Sequence, residues 1–434
     1  MSRFIVRVPR RHAGRRQPST RARGRAARLT LVLFVLHGAL AWADPAAPTL
    51  SYVEALELAR HSAPALRVEQ ATLAGSSALV PAASVLPDPR VSVGVENLPI
   101  AGRDRWSTTR DGGTMQRIAL MQEVPNRAKR DAREQAALAR RDRDRAMLAA
   151  TELAIRRDTG LAWLAVHYAE ARLAQVAGLQ RENRLLQDTL PARIAAGSAM
   201  PAELTMARQE ALFIADRADD LARDVRKARA ELRRWIGERA EAPLHGEPPP
   251  MPVNAGHLRA SLPHHAELAP YAPMRAMAEA ELAEADADKR GDWAWEVAYS
   301  RRPRYDDMVS FQVSFDLPWQ RDRRQRPQAD ARRHEIERLD AERDELLRRH
   351  AAQTDAMLAD LQALDAQAER LGASGQLLAT ERVALATAAY QAGRGDLSAV
   401  LSARSQVLET RLRAIDLDAQ RAALRVRLTS LIAE

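Results

Sequence analysis

Two stretches of the chain alternate strictly between apolar and polar residues, and the sequence around them follows a longer period. In "RVSVGVENL", Val91, Val93 and Val95 alternate with Ser92, Gly94 and Glu96. A period of two predicts a strand with one apolar face. A loop rich in turn residues follows, "PIAGRDRWSTTRDGG", and alternation returns in "TMQRIALMQEV". Residues 90–124 therefore read as a β-hairpin that ends at Pro125. A second hairpin spans 292–317. Trp293, Trp295, Val297 and Tyr299 share one face of its first strand, and "PRYDD" makes the turn. Val309, Phe311, Val313, Phe315 and Leu317 share one face of its second strand, which Pro318 closes.

The rest reads as helix. Leu50 to about Val85 begins with a capping box, Ser51 and Glu54, is interrupted at Pro64 and stops at "LPDPR". From Asn126 to Leu190 there is no proline and glycine only at Gly160 and Gly178. A helix that long would reach about 97 Å, at about 1.5 Å per residue. Pro191, Gly197 and Pro201 mark a turn, after which helix resumes to about Trp235. A linker, "GERAEAPLHGEPPPMPVNAG", separates this half from the next. Helix is predicted again from about His264 to Asp288. Beyond the second hairpin, about seventy helical residues run to Ala392, turn at "GRGD" and continue from Leu397. In that last helix Leu401, Leu408, Leu412, Ile415, Ala419, Ala422 and Val426 are spaced as a coiled-coil seam.

The order helix, strand, strand, long helix, turn, helix thus occurs twice. Leu66 matches Leu268, Asp88 matches Asp292, Pro125 matches Pro318 and Gly197 matches Gly393, at offsets of 202, 204, 193 and 196. A period near 200 is a domain duplication, not a solenoid. The expected organisation is a leader over 1–43, a first repeat over 44–237, a Pro-rich linker over 238–262 and a second repeat over 263–434.

Composition changes this picture in three places. Residues 1–43 hold ten arginines and no acid, then "LTLVLFVLHGALAWA", then Ala41-Trp42-Ala43 before Asp44. That is the layout of a cleavable secretory signal, whose apolar run is short for a membrane span. Without those ten arginines the formal charge of +9 falls to −1, which removes the argument for nucleic-acid binding. The absence of cysteine excludes disulfides, thiolate metal sites and thiol nucleophiles.

A lone hairpin per repeat is marginal in water, and an open sheet edge cannot be left in lipid. Four strands per chain must be shared between chains to close a barrel. Trp293, Trp295 and Tyr299 then read as interface aromatics. Pro125 and Pro318 each end a strand and pre-set the backbone for a helix, and basic residues follow both. The segments "LPDPRVSVGVENLP", "VPNRAKRDAREQAA" and "FDLPWQRDRRQRP", with the paired turns at Gly197 and Gly393, resemble the TolC-type outer-membrane efflux proteins. Among these, the chain is similar to the branch serving heavy-metal exporters of the resistance-nodulation-division class.

The resemblance implies a mainly α fold with a small β part. Tandem long coiled-coil helices would form a periplasmic α-barrel, and four strands per protomer would contribute to a shared 12-stranded barrel in the Gram-negative outer membrane. It implies a homotrimer acting as a passive exit duct; the lipid-facing set that the strand alternation gives is Val91, Val93, Val95, Trp293, Trp295, Val297, Tyr299, Val309, Phe311, Val313 and Phe315. Its partners would be a periplasmic adaptor and an inner-membrane pump, with heavy-metal cations as cargo. The helix turns Ala196, Gly197, Ser198 and Ala392, Gly393, Arg394 would meet the adaptor. Glu203 and Asp396 are the acids near those tips, while Ala399 and Ser402 stand where some members carry pore-ringing acids. A periplasmic adaptor and a structural coiled-coil envelope protein are the alternatives.

No nucleophile–base pair, phosphate loop or dinucleotide fingerprint is present, so neither an enzyme nor a cofactor is expected. His264 and His265 read as ordinary residues at a helix start. His334 and His350 read as solvated on a charged helical face, and no metal site is assigned.

Overall fold

The computed structural model of the chain describes residues 49–431; the expected leader lies outside the described residues. Helices α1 (Tyr52–Ser62) and α2 (Pro64–Ala83) lead into strands β1 (Arg90–Glu96) and β2 (Met115–Val124). Helices α3 (Arg127–Ala195) and α4 (Pro201–Ile236) complete the first half. After the linker come α5 (Ala255–Ser261), α6 (Tyr271–Ala287), β3 (Trp293–Arg301) and β4 (Met308–Phe315). Helices α7 (Arg326–Arg370), α8 (Gln376–Gln391) and α9 (Leu397–Thr429) close the described chain. Among the described residues no helix is long and apolar enough to cross a membrane.

The capping box read from the sequence is made in full. Ser51 Oγ accepts the Glu54 N–H at 3.2 Å, and Glu54 returns a bond to the Ser51 N–H at 2.8 Å. Two predicted helices differ from expectation. Residues 262–268 form short 3₁₀ turns instead of the start of a long helix, because Pro263 and Pro270 lack the N–H groups a continuous α-helix needs. The helix expected to run unbroken to Ala392 contains a π-helical turn, Leu371–Gly375, where Gly372 and Gly375 soften the backbone.

The helices pack along heptad seams. In α3 the buried residues Ile155, Ala162, Ala169, Val176, Asn183 and Leu190 recur every seven residues, as do Ala207, Ile214 and Leu221 in α4. A sustained seven-residue repeat favours left-handed winding of neighbouring helices. Small residues at several of these positions allow close approach. Asn183 is a polar member of the seam; its Nδ2 donates to the Ala207 carbonyl at 3.2 Å, which pins the register of α3 against α4. In α9 the predicted seam is buried at Leu401, Leu408, Leu412 and Val426 and half-buried at Ile415, Ala419 and Ala422. A second stripe, Leu417, Leu424 and Leu428, is buried as well, because α9 packs on α3, α7 and α8 together.

The apolar interior is a series of separate clusters. The largest surrounds Trp163, which is fully buried; its ring meets Tyr52 edge-on at 5.5 Å and its Nε1–H donates to the Leu50 carbonyl at 3.3 Å. Smaller clusters join α3, α4 and α9 around Val176 and Leu412, and the helix ends around Leu190 and Leu397.

The four strands form one antiparallel sheet in the order β1-β2-β3-β4. The two hairpins meet at the β2–β3 pairing, where Val124 lies opposite Trp293 and Leu120 opposite Val297. Below that pairing, a polar clamp joins the halves. The Asn126 N–H donates to Asp292 Oδ1 at 2.8 Å, Asn126 Nδ2 donates to the Ala287 carbonyl at 3.1 Å, and Asn126 Oδ1 caps α3 by accepting the Lys129 N–H. Lys129 Nζ reaches Asp288 at 2.6 Å and Asp292 at 3.1 Å. Burial alone would raise the Asp292 carboxyl, but the Asn126 N–H and the Lys129 ammonium hold it below its ordinary value. Burial likewise opposes the Lys129 charge, and its two carboxylate partners raise it nonetheless.

A depressed carboxyl contributes stability above its ordinary pKa and loses it as pH falls through the lower folded value. Asp292→Asn should therefore destabilise the purified protein by about 1.5–3 kcal/mol at neutral pH, the range for hydrogen bonds to a charged group. Thermal unfolding at neutral pH and at a pH below the carboxylate range checks this; the gap between variant and native protein should close in acid.

Candidate functional site

The register places every apolar strand residue predicted to face lipid on one side of the sheet. Across β1 and β2, Val91 is opposite Leu120 and Val93 opposite Ile118. Across β2 and β3, Ile118 is opposite Tyr299 and Gln122 opposite Trp295. Across β3 and β4, Trp293 faces Phe315, Trp295 faces Val313, Val297 faces Phe311 and Tyr299 faces Val309. Directly opposed residues share a face. Val93 is 78% exposed, Val309 73% and Phe311 70%, so this is a continuous apolar surface that nothing in the described chain covers. Trp295 alone of the set is half-buried.

The other face is small and polar. Ala119, Ala294, Ala298 and Ser300 are buried there. Arg117 bridges Glu96, at 2.6 Å, and Glu296, tying β1, β2 and β3 through one guanidinium. Ser92, Gly94, Ser310, Gln312 and Ser314 continue this face by register. Apolar on one side and polar on the other is the alternation of a membrane β-barrel strand. The inner strands β2 and β3 have 10 and 9 residues, comparable with the roughly 9–11 residues of a tilted spanning strand. Among the described residues, β1 and β4 each pair on one side only.

Exposed aromatics stand beyond both ends of the sheet. Trp106 and Tyr305 lie in the two hairpin loops, and Trp319 lies where β4 gives way to α7. Pro125 is buried between β2 and α3, and Pro318 is half-buried between β4 and the π-helical start of the next helix at Arg321–Gln325. Arg321, Arg323 and Arg324 are exposed there.

At the far ends of the helices the two turns have the same bonding. Ser198 N–H donates to the Arg193 carbonyl at 2.9 Å and Gly197 N–H to the Ile194 carbonyl at 3.0 Å. Arg394 N–H donates to the Ala389 carbonyl at 2.9 Å and Gly393 N–H to the Tyr390 carbonyl at 3.1 Å. These are two Schellman caps, and Gly197 and Gly393 occupy their left-handed positions at φ +72° and +70°. Ala196, Ser198, Ala392 and Arg394 are exposed around them.

Both nearby acids are engaged locally. Asp396 caps α9, accepting the Ala399 N–H at 2.9 Å and the Ser398 hydroxyl at 2.6 Å, and the Ser398 bond, followed by the Ala399 bond, holds its pKa down. Glu203 accepts the Met200 N–H at 3.1 Å and the Tyr390 hydroxyl. The Arg193 guanidinium sits 4.9 Å from the centre of the Tyr390 ring. Tyr390, Glu203 and Arg193 therefore lash one turn to the other. Sequence reasoning missed Tyr390 and Arg193, whose spacing carries no periodic signal.

His334 is exposed and pairs with Glu337, as its place on a charged face predicts. His350 contradicts its expected solvation. It is 6% exposed, because that position of α7 turns towards residues 265–268, and its ring stacks on His265 at 3.7 Å.

No family model matches the sequence, and no curated protein matches it either. Solved structures do match in fold. A membrane protein from Pseudomonas aeruginosa superposes with a TM-score of 0.76 at 16% identity, over 88% of this chain and 90% of that one. CusC, described as forming a transmembrane channel, gives 0.73 at 15% identity, over 88% and 92%. The outer membrane protein VceC from Vibrio cholerae gives 0.72 at 17% identity, over 88% and 95%. The chain has the fold of these proteins: a long helical body carrying a small antiparallel sheet.

Proposed function

We propose that the chain is the outer-membrane channel subunit of a tripartite efflux system, a passive exit duct and not an enzyme. The observation that carries this reading is the open four-stranded sheet whose apolar residues fall in register on one uncovered face. Three copies supply twelve strands, with β4 of one protomer pairing to β1 of the next, so that no backbone edge is left in hydrocarbon. The small, polar face with Arg117, Glu96 and Glu296 then lines the duct.

The repeat supports the same closure. Asp292 binds the β2-to-α3 junction beside it, whereas its counterpart Asp88 is exposed. In a ring, Asp88 stands beside the Pro318 junction of the neighbouring protomer. Exposed Leu212, Phe213, Leu377, Leu378 and Leu385 on α4 and α8 give the helices apolar surface for further contact between copies. The turns at Gly197 and Gly393 form the periplasmic tip that meets the adaptor, which in turn links to an inner-membrane pump. Heavy-metal cations are the cargo to which the sequence resemblance points.

Two substitutions on neighbouring residues of β4 test the sheet. Phe311→Arg places a charge on the lipid face near mid-strand, where it costs about 2–4 kcal/mol, and should remove the protein from the outer membrane. Gln312→Arg places the same charge on the duct face and should leave membrane insertion intact; quantitative blotting of outer-membrane fractions distinguishes them. At the tip, Ser198→Glu with Arg394→Glu should leave outer-membrane level and assembly unchanged. The pair should abolish co-purification with the adaptor expressed alongside it.

A further inference from the structure

The strongest unused cluster of side chains lies away from both the sheet and the tips. His265 follows the Leu262–His264 turn, Glu267 sits in the next turn, and His350 lies on α7. One ligand atom from each comes within 4.8 Å of the others. His350 Nε2 is 3.2 Å from Glu267 Oε2, close to the separation of roughly 3.3 Å between two ligands of a tetrahedral ion with bonds near 2.0–2.1 Å. We propose that His265, Glu267 and His350 bind one divalent transition-metal cation of the zinc and cobalt class through two imidazole nitrogens and one carboxylate oxygen.

Burial supports a ligand at this place. His265 is 5% exposed and His350 6%; Nε2 of each ring is buried, that of His265 with no hydrogen-bond partner and that of His350 with only Glu267 Oε2 at 3.2 Å, outside hydrogen-bond geometry. A buried polar atom left unbonded costs about 1–3 kcal/mol, and an ion on His350 Nε2 relieves one such atom. The Glu267 side chain is 56% exposed and leaves a path for an ion from solvent.

The charges facing the cluster are Glu267, which attracts a cation, and Arg157 of α3, which opposes one but is itself paired with Asp158 at 2.7 Å. Stacked rings at 18° direct their lone pairs in nearly parallel planes. Convergence on one ion therefore requires His265 to turn about its Cβ–Cγ bond. That turn gives up the bond its Nδ1 accepts from the Glu267 N–H at 3.1 Å and frees a lone pair for the metal. Two nitrogens and one oxygen favour zinc, cobalt, nickel or copper over magnesium and calcium, which prefer oxygen shells. An ion held here would staple residues 265–267, and with them the approach to α6, to α7.

The test uses the full chain, purified in detergent without a polyhistidine tag and stripped with chelator. Cobalt(II) is titrated while visible ligand-field absorption and equilibrium dialysis are read. The expected result is one cobalt per chain, displaced by zinc and unaffected by excess magnesium. His350→Gln and Glu267→Gln should each weaken binding at least about tenfold, and His264→Gln, beside the cluster but exposed, should not. Circular dichroism establishes that each variant is folded. Failure of the native chain to take up a stoichiometric ion overturns the proposal without recourse to any variant. Binding that survives in folded His350→Gln places the ion elsewhere and overturns it equally.

Discussion

A strand edge carries backbone N–H and C=O groups that hydrocarbon cannot satisfy, and the proposed architecture follows from that constraint. The sheet offers two such edges, on β1 and β4, beside a face of valine, phenylalanine and tryptophan that water does not favour. Burial of that face in lipid removes one penalty and creates another unless the edges meet partners. A ring of identical chains resolves both, since each copy presents one β1 edge and one β4 edge. The low aromatic content is consistent with this division of labour, because few aromatics are spent outside the sheet, its margins and the Trp163 cluster.

The helices answer a different demand. A rod many turns long cannot enclose one compact core, so the chain builds a chain of small clusters along heptad seams. Alanine at many seam positions lets helices approach closely, and Asn183 sets their register where leucine alone would permit slippage. The Asn126–Asp292–Lys129 clamp then fixes the rod to the sheet at the point where the two halves cross. The Tyr390–Glu203 bond does the same between the turns at the opposite end.

Local rules made much of this legible. Period-two alternation located all four strands, Pro125 and Pro318 marked where strands give way to helices, and paired glycines marked the turns. The Ser51–Glu54 capping box needed only a three-residue spacing. What escaped was long-range. His350 sits among charges in sequence yet faces His265 across a helix packing contact. Asp292 and Lys129 meet only because β2 and β3 are neighbours in the sheet, and Tyr390 meets Glu203 only because the two turns lie side by side. The break in the predicted helices at 262–268 and 371–375 depended on proline and glycine effects that were local, but they competed with an otherwise favourable helical pattern.

Closure of β1 on β4 between chains is the central claim, and the native absence of cysteine makes it directly measurable. Cysteine pairs are introduced on the duct-facing edge positions, Ser92 with Ser310 or Gln312, and the protein is oxidised in outer-membrane fractions. Within one chain those edges are separated by two intervening strands, roughly 14 Å at about 4.8 Å per strand, which is beyond disulfide reach. The account predicts that at least one pairing yields a covalent trimer that survives boiling and collapses to monomer on reduction. Monomers throughout the register series, or bonds formed only within single chains, would contradict it.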